Sequence, residues 1–351
     1  MDFPEDLCGL GSDQALPTVP PPRYGLVIHP GALGDLILTL PLIRFLRLTL
    51  NLDRVDVMGR AERLAVLDGR SDAGQVLCLE SANLHRLFQP HDQFDLSRDD
   101  PLVQRFVPYE VIITFLGEAG GDFERNLAYT ASITHCAEIV SLPVRPPEGS
   151  PLHAAEFYIR QVSDHYHLGW LDTEALFSTP LMRPAPEDSQ VGNRLISGQA
   201  PQLAGKPIVI HPGSGGSHKC WPMENFCEIA ARLGERGAAV LFLLGPAETE
   251  RWERSVIEQL TPLGAVVCGL DLPEVAALLS SCLAYLGNDS GISHLAAALD
   301  VPTAVVFGPS TPRQWRPLGR NVKVVAVGES DAVGQASWPA VGDVLKALGS
   351  G

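Results

Sequence analysis

Residues 283–299 contain a short apolar run, a turn of small polar residues and a second apolar stretch, and this order constrains the fold most. The run at 283–286 is typical of a buried parallel strand, and residues 293–299 predict a helix. The turn between them, residues 287–291, would lie at the carboxyl ends of the strands of an open α/β sheet, where such sheets bind ligands. The stretch therefore predicts an α/β protein with a candidate binding site at this turn.

The same turn has features that favour an anion. The free N–H groups at the start of the following helix attract negative charge. Ser290 suits the N-cap position, and Gly291 lets a diphosphate approach closely because it has no side chain. An ordinary strand-to-helix turn, in which Asp289 or Ser290 caps the helix, explains the pattern equally well.

The N-terminal half contains a similar unit. Residues 24–29 form an apolar run typical of a strand, segment 30–35 with its two glycines breaks it, and residues 36–48 have the apolar spacing of an amphipathic helix. Further along this half, strands are predicted at 55–58, 86–88 and 111–115, and a helix at 153–167. This alternation of strands and helices predicts a parallel sheet.

The second half starts again with a strand that runs into a glycine loop. Residues 207–216 echo residues 27–31, without establishing an internal repeat. The elements expected after this loop are helix 223–236, strand 239–244, turn 245–248, helices 249–259 and 272–281, and strand 303–307. Two halves of this kind predict two Rossmann-like domains that face one another across a cleft.

The length of 351 residues exceeds what a single hydrophobic core usually supports, which favours two domains. Residues 1–22, rich in proline and acidic residues, are expected to be a disordered tail. Domains are predicted at 23–190 and 200–335, with a linker near 185–204 where the composition is loop-like. Residues 336–351 are expected to hold a C-terminal helix.

The formal net charge of -15 argues against nucleic-acid partners and gives no overall attraction to an anionic membrane. No apolar run reaches the roughly eighteen residues that a bilayer-spanning helix needs. The seven cysteines are scattered and include no Cys-x-x-Cys pair, so we expect small buried hydrophobic residues in a reducing compartment. The sequence predicts a cytoplasmic protein with at most peripheral contact with the inner face of the cytoplasmic membrane.

Three groups of segments occur in a characteristic order along the chain. They are Gly31-Ala32-Leu33-Gly34-Asp35-Leu36 with Thr39-Leu40-Pro41-Leu42; His211-Pro212-Gly213 with Lys219-Cys220-Trp221-Pro222; and residues 287–297 with Phe307-Gly308-Pro309. Together they resemble glycosyltransferase family 9, the heptosyltransferases of lipopolysaccharide core assembly. Their order and spacing cover most of the chain from Tyr24 to about Leu318.

The resemblance implies the GT-B fold, an α/β architecture with two Rossmann-like domains. It implies that the C-terminal domain holds a nucleotide-sugar donor, which is ADP-heptose in the best-known members. It also implies that the N-terminal domain holds a glycan or lipid-linked acceptor, such as the lipopolysaccharide core. Finally, the last helix, near 340–348, is expected to pack back against the first domain.

Transfer of a sugar from a nucleoside diphosphate needs a base for the acceptor hydroxyl and groups that receive charge on the departing diphosphate. Asp35 is predicted to be the base, and the dipole of the helix that it begins should keep its pKa low. The alternative is an acid that only stabilises the helix start. Lys219 and the helix N-terminus after Asp289 are predicted to receive the charge. His294 either touches the diphosphate or holds the loop.

The remaining donor contacts are predicted from similarity to the family and from the chemistry of each side chain. Ser214 is expected to hydrogen-bond a phosphate oxygen. Glu248 is either a ligand of the ribose hydroxyls or a surface acid at a helix start. Asp289 is expected to contact sugar hydroxyls, and Ser290 and Gly291 to line the diphosphate site.

No Asp-x-Asp sequence occurs, although metal-dependent glycosyltransferases commonly hold a divalent cation with such a pair. We therefore expect metal-independent transfer without a cofactor. With Asp35 as the base, a single displacement would invert the anomeric carbon. No Gly-x-Gly-x-x-Gly follows the first strand, which weakens the alternative of a dinucleotide-dependent oxidoreductase. An inactive nucleotide-sugar-binding protein of the same fold is the other alternative.

Overall fold

The structure is a computed structural model that describes residues 21–169, 173–177, 180–203, 205–308, 310–326 and 338–349. Its named strands lie in two parallel sheets. The predicted disordered tail spans residues 1–22, and residues 1–20 of it lie outside the described residues. None of the described helices combines the length and the apolar composition that crossing a bilayer requires.

The first sheet contains five parallel strands. They are β1 Tyr24–Ile28, β2 Arg54–Gly59, β3 Val76–Cys78, β4 Tyr109–Thr114 and β5 Glu138–Ser141, in the spatial order β3-β2-β1-β4-β5. The helices of this part of the chain are α1 Leu33–Ile37, α2 Leu40–Thr49, α3 Ala61–Leu64, α4 Pro101–Phe106, α5 Asp122–Ser132, α6 Ala154–His165 and α7 Glu174–Phe177.

The second sheet contains six parallel strands, preceded along the chain by helix α8 Asp188–Gln199. The strands are β6 Ile208–His211, β7 Val240–Leu244, β8 Ala265–Cys268, β9 Ala284–Asn288, β10 Thr303–Phe307 and β11 Val322–Ala326, in the order β11-β10-β9-β6-β7-β8. The remaining helices are α9 Met223–Glu235, α10 Pro246–Arg251, α11 Arg254–Glu258, α12 Leu272–Ser280, α13 Gly291–Ala298, α14 Pro312–Trp315 and α15 Val341–Ala347.

Each sheet reverses its strand order at one point, between β1 and β4 in the first sheet and between β6 and β9 in the second. The central strands are buried on both faces, as Leu26 and Val27 of β1 illustrate, which explains why the strands read as continuous apolar runs. Open parallel sheets bind ligands outside the carboxyl ends of their strands at such a reversal. The predicted α/β class is confirmed, and the predicted loops after β1 and β9 begin at the two reversals.

One predicted strand is wrong. Residues 86–88 belong to a 3-10 turn that spans Leu84–Phe88. Asn83 adopts a left-handed conformation (φ 55°), which interrupts an extended chain, and the Arg86 guanidinium donates two hydrogen bonds of 2.8 Å to Asp100. The third strand of the sheet is β3, which the sequence pattern did not indicate.

Two predicted helices are divided. The helix expected at 36–48 is split between α1 and α2, and Pro41 lies in the first turn of α2, where proline is tolerated. The expected turn at 245–248 belongs mostly to α10, since Pro246 takes the first helical position. The helix expected at 249–259 is therefore shared between α10 and α11.

The predicted linker at 185–204 is largely helix α8. The buried residues of α8 are Asp188, Gly192 and Ile196, which are four positions apart and share one face. Gly192 lies so close to α12 that a Cβ there would be 2.2 Å from the carbonyl oxygen of Ala277. The sequence did not indicate this helix, because a buried face that contains an acid and a glycine does not form an apolar stripe. Since α8 packs on α12 while α6 and α7 pack on α2, the chain leaves the first domain before α8.

The last helix, α15, packs on the second domain, whereas the prediction was that it packs back against the first domain. It contacts α9, β10 and β11. Val344 and Leu345 lie in the same buried cluster as Ile210 and Phe226. The physical reason is that β11 is the edge strand of the second sheet. A helix that covers this edge buries its apolar side against β10 and β11, the strands that precede it in the chain.

An apolar core continues through both domains. It includes Leu33 and Leu36 of α1 together with Leu295 of α13 and the adjoining Leu299. Helices α1 and α13 are in contact, so the floor of the cleft is a packed junction. This junction fixes how the loops that begin α1 and α13 lie relative to one another.

The Arg70–Asp188 ion pair joins the first domain to α8, and it yields a stability prediction. The guanidinium donates two hydrogen bonds to the carboxylate, of 2.5 and 2.8 Å, and the side chains are 8% and 0% exposed. Arg70→Ala leaves the Asp188 carboxylate buried without a cation, so we expect urea denaturation to show a loss of about 3–5 kcal/mol in unfolding free energy. Arg254→Ala, which removes an exposed ion pair with Glu258, is the control and should change little. A loss no larger than that of the control would contradict the prediction.

Candidate active site

A cavity of about 350 Å³ lies between the two domains, at the carboxyl ends of β1, β6 and β9. Its walls include every predicted site residue except Glu248. These residues are Asp35 from the first domain, and Ser214, Lys219, Asp289, Ser290, Gly291 and His294 from the second. The fold therefore brings residues that are far apart in the chain into one site.

The turn after β9 is held by hydrogen bonds from its own side chains. Ser290 caps α13, as predicted, because its Oγ accepts the N–H of Ser293 at 3.4 Å. The Ser293 hydroxyl donates to the carbonyl of Asn288 at 2.5 Å. The Asn288 amide donates to the carbonyl of Pro212 at 2.8 Å and accepts the N–H of Trp221 at 2.9 Å. The turn after β9 and the loop after β6 are thus fixed to each other.

Lys219 and Asp289 form an ion pair across these two loops, with Nζ and Oδ2 2.7 Å apart. The Asp289 side chain is 7% exposed and the Lys219 side chain 34% exposed, so the ammonium group keeps a solvent-accessible side. The Ser214 hydroxyl donates to the main-chain carbonyl of Asp289 at 2.7 Å. Ser214 therefore supports the turn in this structure, and its bond to a phosphate oxygen stays a prediction.

Asp35 lies in the first turn of α1, where its carboxylate accepts the N–H of Ala32 at 3.2 Å. Burial between the domains raises the pKa of Asp35, although this hydrogen bond and the charges of Arg145 and Lys219 act in the opposite direction. The expected low pKa was wrong, because loss of solvent outweighs the effects that favour the charged form. A carboxylate with a raised pKa is a stronger base.

The N-termini of α1 and α13 meet at two glycines. A Cβ on Gly34 would lie 3.0 Å from Cδ2 of His294, and a Cβ on Gly291 would lie 3.0 Å from the Cβ of Leu33. Because neither glycine has a side chain, the two helix starts approach closely. This contact places Asp35 next to the start of α13.

His294 is buried beneath this contact and is 4% exposed. Burial lowers the pKa of His294 to about 4, so the imidazole is neutral at neutral pH. Its Nδ1 has no hydrogen-bond partner within the described part of the chain. A neutral ring packed on Gly34 adds no positive charge to the cavity, which favours the loop-holding role, and contact with a diphosphate stays a prediction.

Glu248 lies behind the loop that follows β6. Its Oε2 accepts the N–H of Gly245 at 2.8 Å and so caps α10. The side chain packs on Gly213, where a Cβ would be 1.8 Å from Oε1 of Glu248. The interpretation as a surface acid is wrong, because Glu248 is only 4% exposed. Contact with the ribose stays a prediction.

Two residues of the cavity wall, Arg145 and Trp315, were not found from the sequence. Arg145 lies in the proline-rich segment 141–151 that follows β5, and Trp315 ends the short helix α14. The position of these two residues in the sequence could have indicated them, because residues that follow parallel strands lie at the ligand-binding edge of a sheet.

The described residues contain no group of three or more His, Cys, Asp or Glu side chains placed to hold a metal ion. Of the predicted site residues in the cavity wall, only Asp35 and Asp289 carry a carboxylate, and Asp289 is already paired with Lys219.

The sequence profile of glycosyltransferase family 9 (heptosyltransferase) matches residues 156–336, just over half of the chain. This protein belongs to glycosyltransferase family 9. The resemblance found in the sequence is thereby confirmed, and the family 9 profile covers the loops after β6 and β9.

Curated relatives carry heptosyltransferase names. Lipopolysaccharide heptosyltransferase 1 of Pseudomonas aeruginosa is 34% identical over 178 residues, which are 48% of this chain and 48% of the relative. Lipopolysaccharide heptosyltransferase 2 of Salmonella typhimurium is 28% identical over 173 residues, 47% of this chain and 49% of the relative. The matched region of this family 9 chain thus spans about half the length of these relatives.

A solved structure shares the fold over nearly the whole chain. The ADP-heptose lipopolysaccharide heptosyltransferase II of Escherichia coli aligns with a TM-score of 0.66 and 19% identity, covering 93% of this chain and 98% of that chain. The alignment includes both sheets, and the two-domain GT-B architecture predicted for this family 9 protein is confirmed.

The buried histidines of the protein generate a prediction about acid stability. Burial lowers the pKa of His29, His153 and His294 to about 4, whereas an unfolded histidine titrates near 6.5. The unfolded chain therefore binds more protons between these pH values, and the stability present above pH ~6.5 is lost as pH falls toward about 4. In urea unfolding, we expect His294→Gln to make this loss shallower by up to about 1.4 kcal/mol per pH unit.

The matched control for this prediction is the exposed His85. His85→Gln should leave the dependence of unfolding free energy on pH as it is in the parent. An equal slope in the parent and in His294→Gln would contradict a neutral, buried imidazole.

Proposed function

We propose that this protein is an inverting glycosyltransferase that moves a heptose from ADP-heptose to a lipopolysaccharide core or related glycan acceptor. One observation carries the proposal: Asp35 of the first domain and the Lys219–Asp289 pair of the second domain line the same cavity. A proton acceptor and a cation on opposite walls are what displacement of a nucleoside diphosphate requires. Membership of family 9 supports the same chemistry.

The second domain supplies the donor site in this proposal. The diphosphate rests on the N–H groups at the start of α13, where the helix dipole favours negative charge and Gly291 permits close approach. Lys219 stands beside it, and Ser214 and Asp289 contact a phosphate oxygen and the sugar hydroxyls. Glu248 is assigned to the ribose. The name of the E. coli structure with the same fold, an ADP-heptose heptosyltransferase, supports ADP as the nucleotide.

The reaction is a single displacement. Asp35 takes the proton of the acceptor hydroxyl while the acceptor oxygen forms a bond to the anomeric carbon. The bond from that carbon to the diphosphate breaks on the opposite face, and its electron pair leaves with the diphosphate. Lys219 and the start of α13 stabilise the leaving charge. Attack opposite the leaving group inverts the anomeric configuration, and Asp35 later returns its proton to solvent.

The positive charge of Lys219 and the dipole of α13 take the place that a divalent cation has in other glycosyltransferases, so we propose transfer without a metal. The acceptor is assigned to the first domain, on the side of Asp35. We place the reaction in the cytoplasm, with at most peripheral contact with the inner face of the membrane. The net charge of -15 supports the absence of a nucleic-acid partner.

The first functional prediction concerns the donor. ADP should raise the melting temperature without added metal, because a ligand at a hundred times its Kd contributes about 2.7 kcal/mol. Lys219→Ala should weaken this stabilisation, since the cation beside the diphosphate is lost. Lys323→Ala, on the edge strand β11, is the matched control. Stabilisation only by NAD(H), or only with magnesium present, would count against the proposal.

The second functional prediction concerns the base. Asp35→Asn keeps the shape of the side chain and removes the proton acceptor, so turnover should fall by about 10²–10⁴-fold while ADP binding stays nearly unchanged. Because burial raises the pKa of Asp35, the parental rate should fall as pH drops through that raised value, and the variant should lack this dependence. Steady-state kinetics across pH measure both effects.

Asp92→Asn, on the surface of the first domain, is the control and should transfer at the parental rate. If Asp35→Asn also transfers at close to that rate, Asp35 only stabilises the helix start. If the parent binds ADP but transfers heptose to no lipopolysaccharide core acceptor, an inactive nucleotide-sugar-binding protein becomes the better description.

A further inference from the structure

Trp315 is an aromatic side chain in the wall of a largely polar cavity. It ends α14, is half-buried, and lines the cavity together with Asp35 and Arg145 of the opposite domain. Part of its surface packs on the apolar core that continues through both domains. The rest of its surface is available to a ligand in the cavity.

The residues on both sides of Trp315 are tied to the first domain, Arg313 and Gln314 through their side chains and Arg316 through its main-chain carbonyl. Three hydrogen bonds join residues 313–316 to residues 150–153. They run from Arg313 Nε to the carbonyl of Pro151 (2.8 Å), from Gln314 Nε2 to the carbonyl of Ser150 (2.8 Å), and from His153 Nε2 to the carbonyl of Arg316 (2.9 Å). We call this set the interdomain clamp. It holds Trp315 over the junction between the domains.

The orientation of the His153 ring is fixed by a fourth contact. Its Nδ1 accepts the N–H of Ala155 at 3.3 Å and so caps α6, which leaves Nε2 as the donor to Arg316. Burial lowers the pKa of His153 to about 4, so this neutral form persists at neutral pH. The clamp is therefore intact under the conditions in which the protein would act.

For a donor bound as proposed above, the strand order puts Trp315 on the sugar side of the diphosphate. The reversal of the second sheet lies between β6 and β9, with β7 on one side and β10 on the other. Glu248, assigned to the ribose, follows β7, whereas Trp315 follows β10. A nucleotide whose ribose lies toward β7 and whose diphosphate lies at the reversal therefore points its sugar toward β10.

We propose that Trp315 contributes to binding of the transferred sugar by stacking its indole ring on the apolar C–H face of that sugar. The proposal rests on the proposed function, because it needs a nucleotide sugar in this cavity. A sugar between Asp35 and the Lys219–Asp289 pair lies within the same walls as Trp315. Burial of apolar surface against an aromatic ring then stabilises the sugar without any demand on its hydroxyl groups.

The test compares ADP with ADP-heptose by isothermal titration without an acceptor. For Trp315→Ala we expect the Kd of ADP-heptose to rise about 5- to 10-fold, while the Kd of ADP changes by no more than about twofold, because only the sugar touches the indole. Trp315→Phe keeps an aromatic face and should recover most of the loss. Trp252→Ala, a half-buried tryptophan on the periphery of the second domain, is the control for a general loss of packing.

Equal Kd values for ADP-heptose in the parent and in Trp315→Ala would overturn the proposal. An equal rise in the Kd of ADP and of ADP-heptose would also overturn it, since that result means a structural role in the nucleotide site. If the parent binds neither ligand, the proposed function itself fails, and this outcome is distinguishable from a failure that concerns Trp315 alone.

The clamp gives a second, milder variant. Gln314→Ala removes one of the three hydrogen bonds, so the Kd of ADP-heptose should rise by a smaller factor than in Trp315→Ala, again without a change for ADP. Gln104→Ala removes an analogous bond, which runs from Gln104 Nε2 on α4 to the main-chain carbonyl of Arg98, and should have no effect. An unchanged Kd of ADP-heptose in Gln314→Ala would overturn the positioning role of the clamp.

Discussion

The contact between the starts of α1 and α13 is the constraint on which the rest of the site depends. Two backbones meet there because Gly34 and Gly291 have no side chains, and the His294 ring fills the space beneath them. Around this contact, apolar residues of both domains share one core. A methyl group on either glycine would have to displace its neighbours. The distance between Asp35 of one domain and the start of α13 in the other is thus set by packing.

Burial at this junction also decides the electrostatics. The same loss of solvent raises the pKa of Asp35 and lowers the pKa of His294, since each group loses stabilisation of its charged form. The result is a stronger base next to a neutral imidazole. Lys219, paired with Asp289, places a cation on the opposite wall. One cleft can therefore favour both proton removal and departure of a diphosphate.

Strand order distributes the roles within the cleft. Loops that follow β1, β6 and β9 meet at the two reversals of strand order, while the loops after β7 and β10 lie to either side. Glu248 and Trp315 therefore stand on opposite sides of the strand-order reversal between β6 and β9. The interdomain clamp adds a second junction, away from α1 and α13, and fixes the side where the sugar would lie.

The sequence by itself determined the α/β class and the two loops, because strand runs and turn residues act over a few positions. Together with the family resemblance it also indicated eight site residues, of which seven lie in the cavity wall. Tertiary structure alone decided what depends on long-range packing. The buried face of α8 contains Asp188 and Gly192, which only contact with Arg70 and α12 explains. The pKa of Asp35, the burial of Glu248 and the presence of Arg145 and Trp315 in the cavity depend on neighbours from distant parts of the chain. Solvent exclusion and close approach are properties of the assembled core, and no local pattern encodes them.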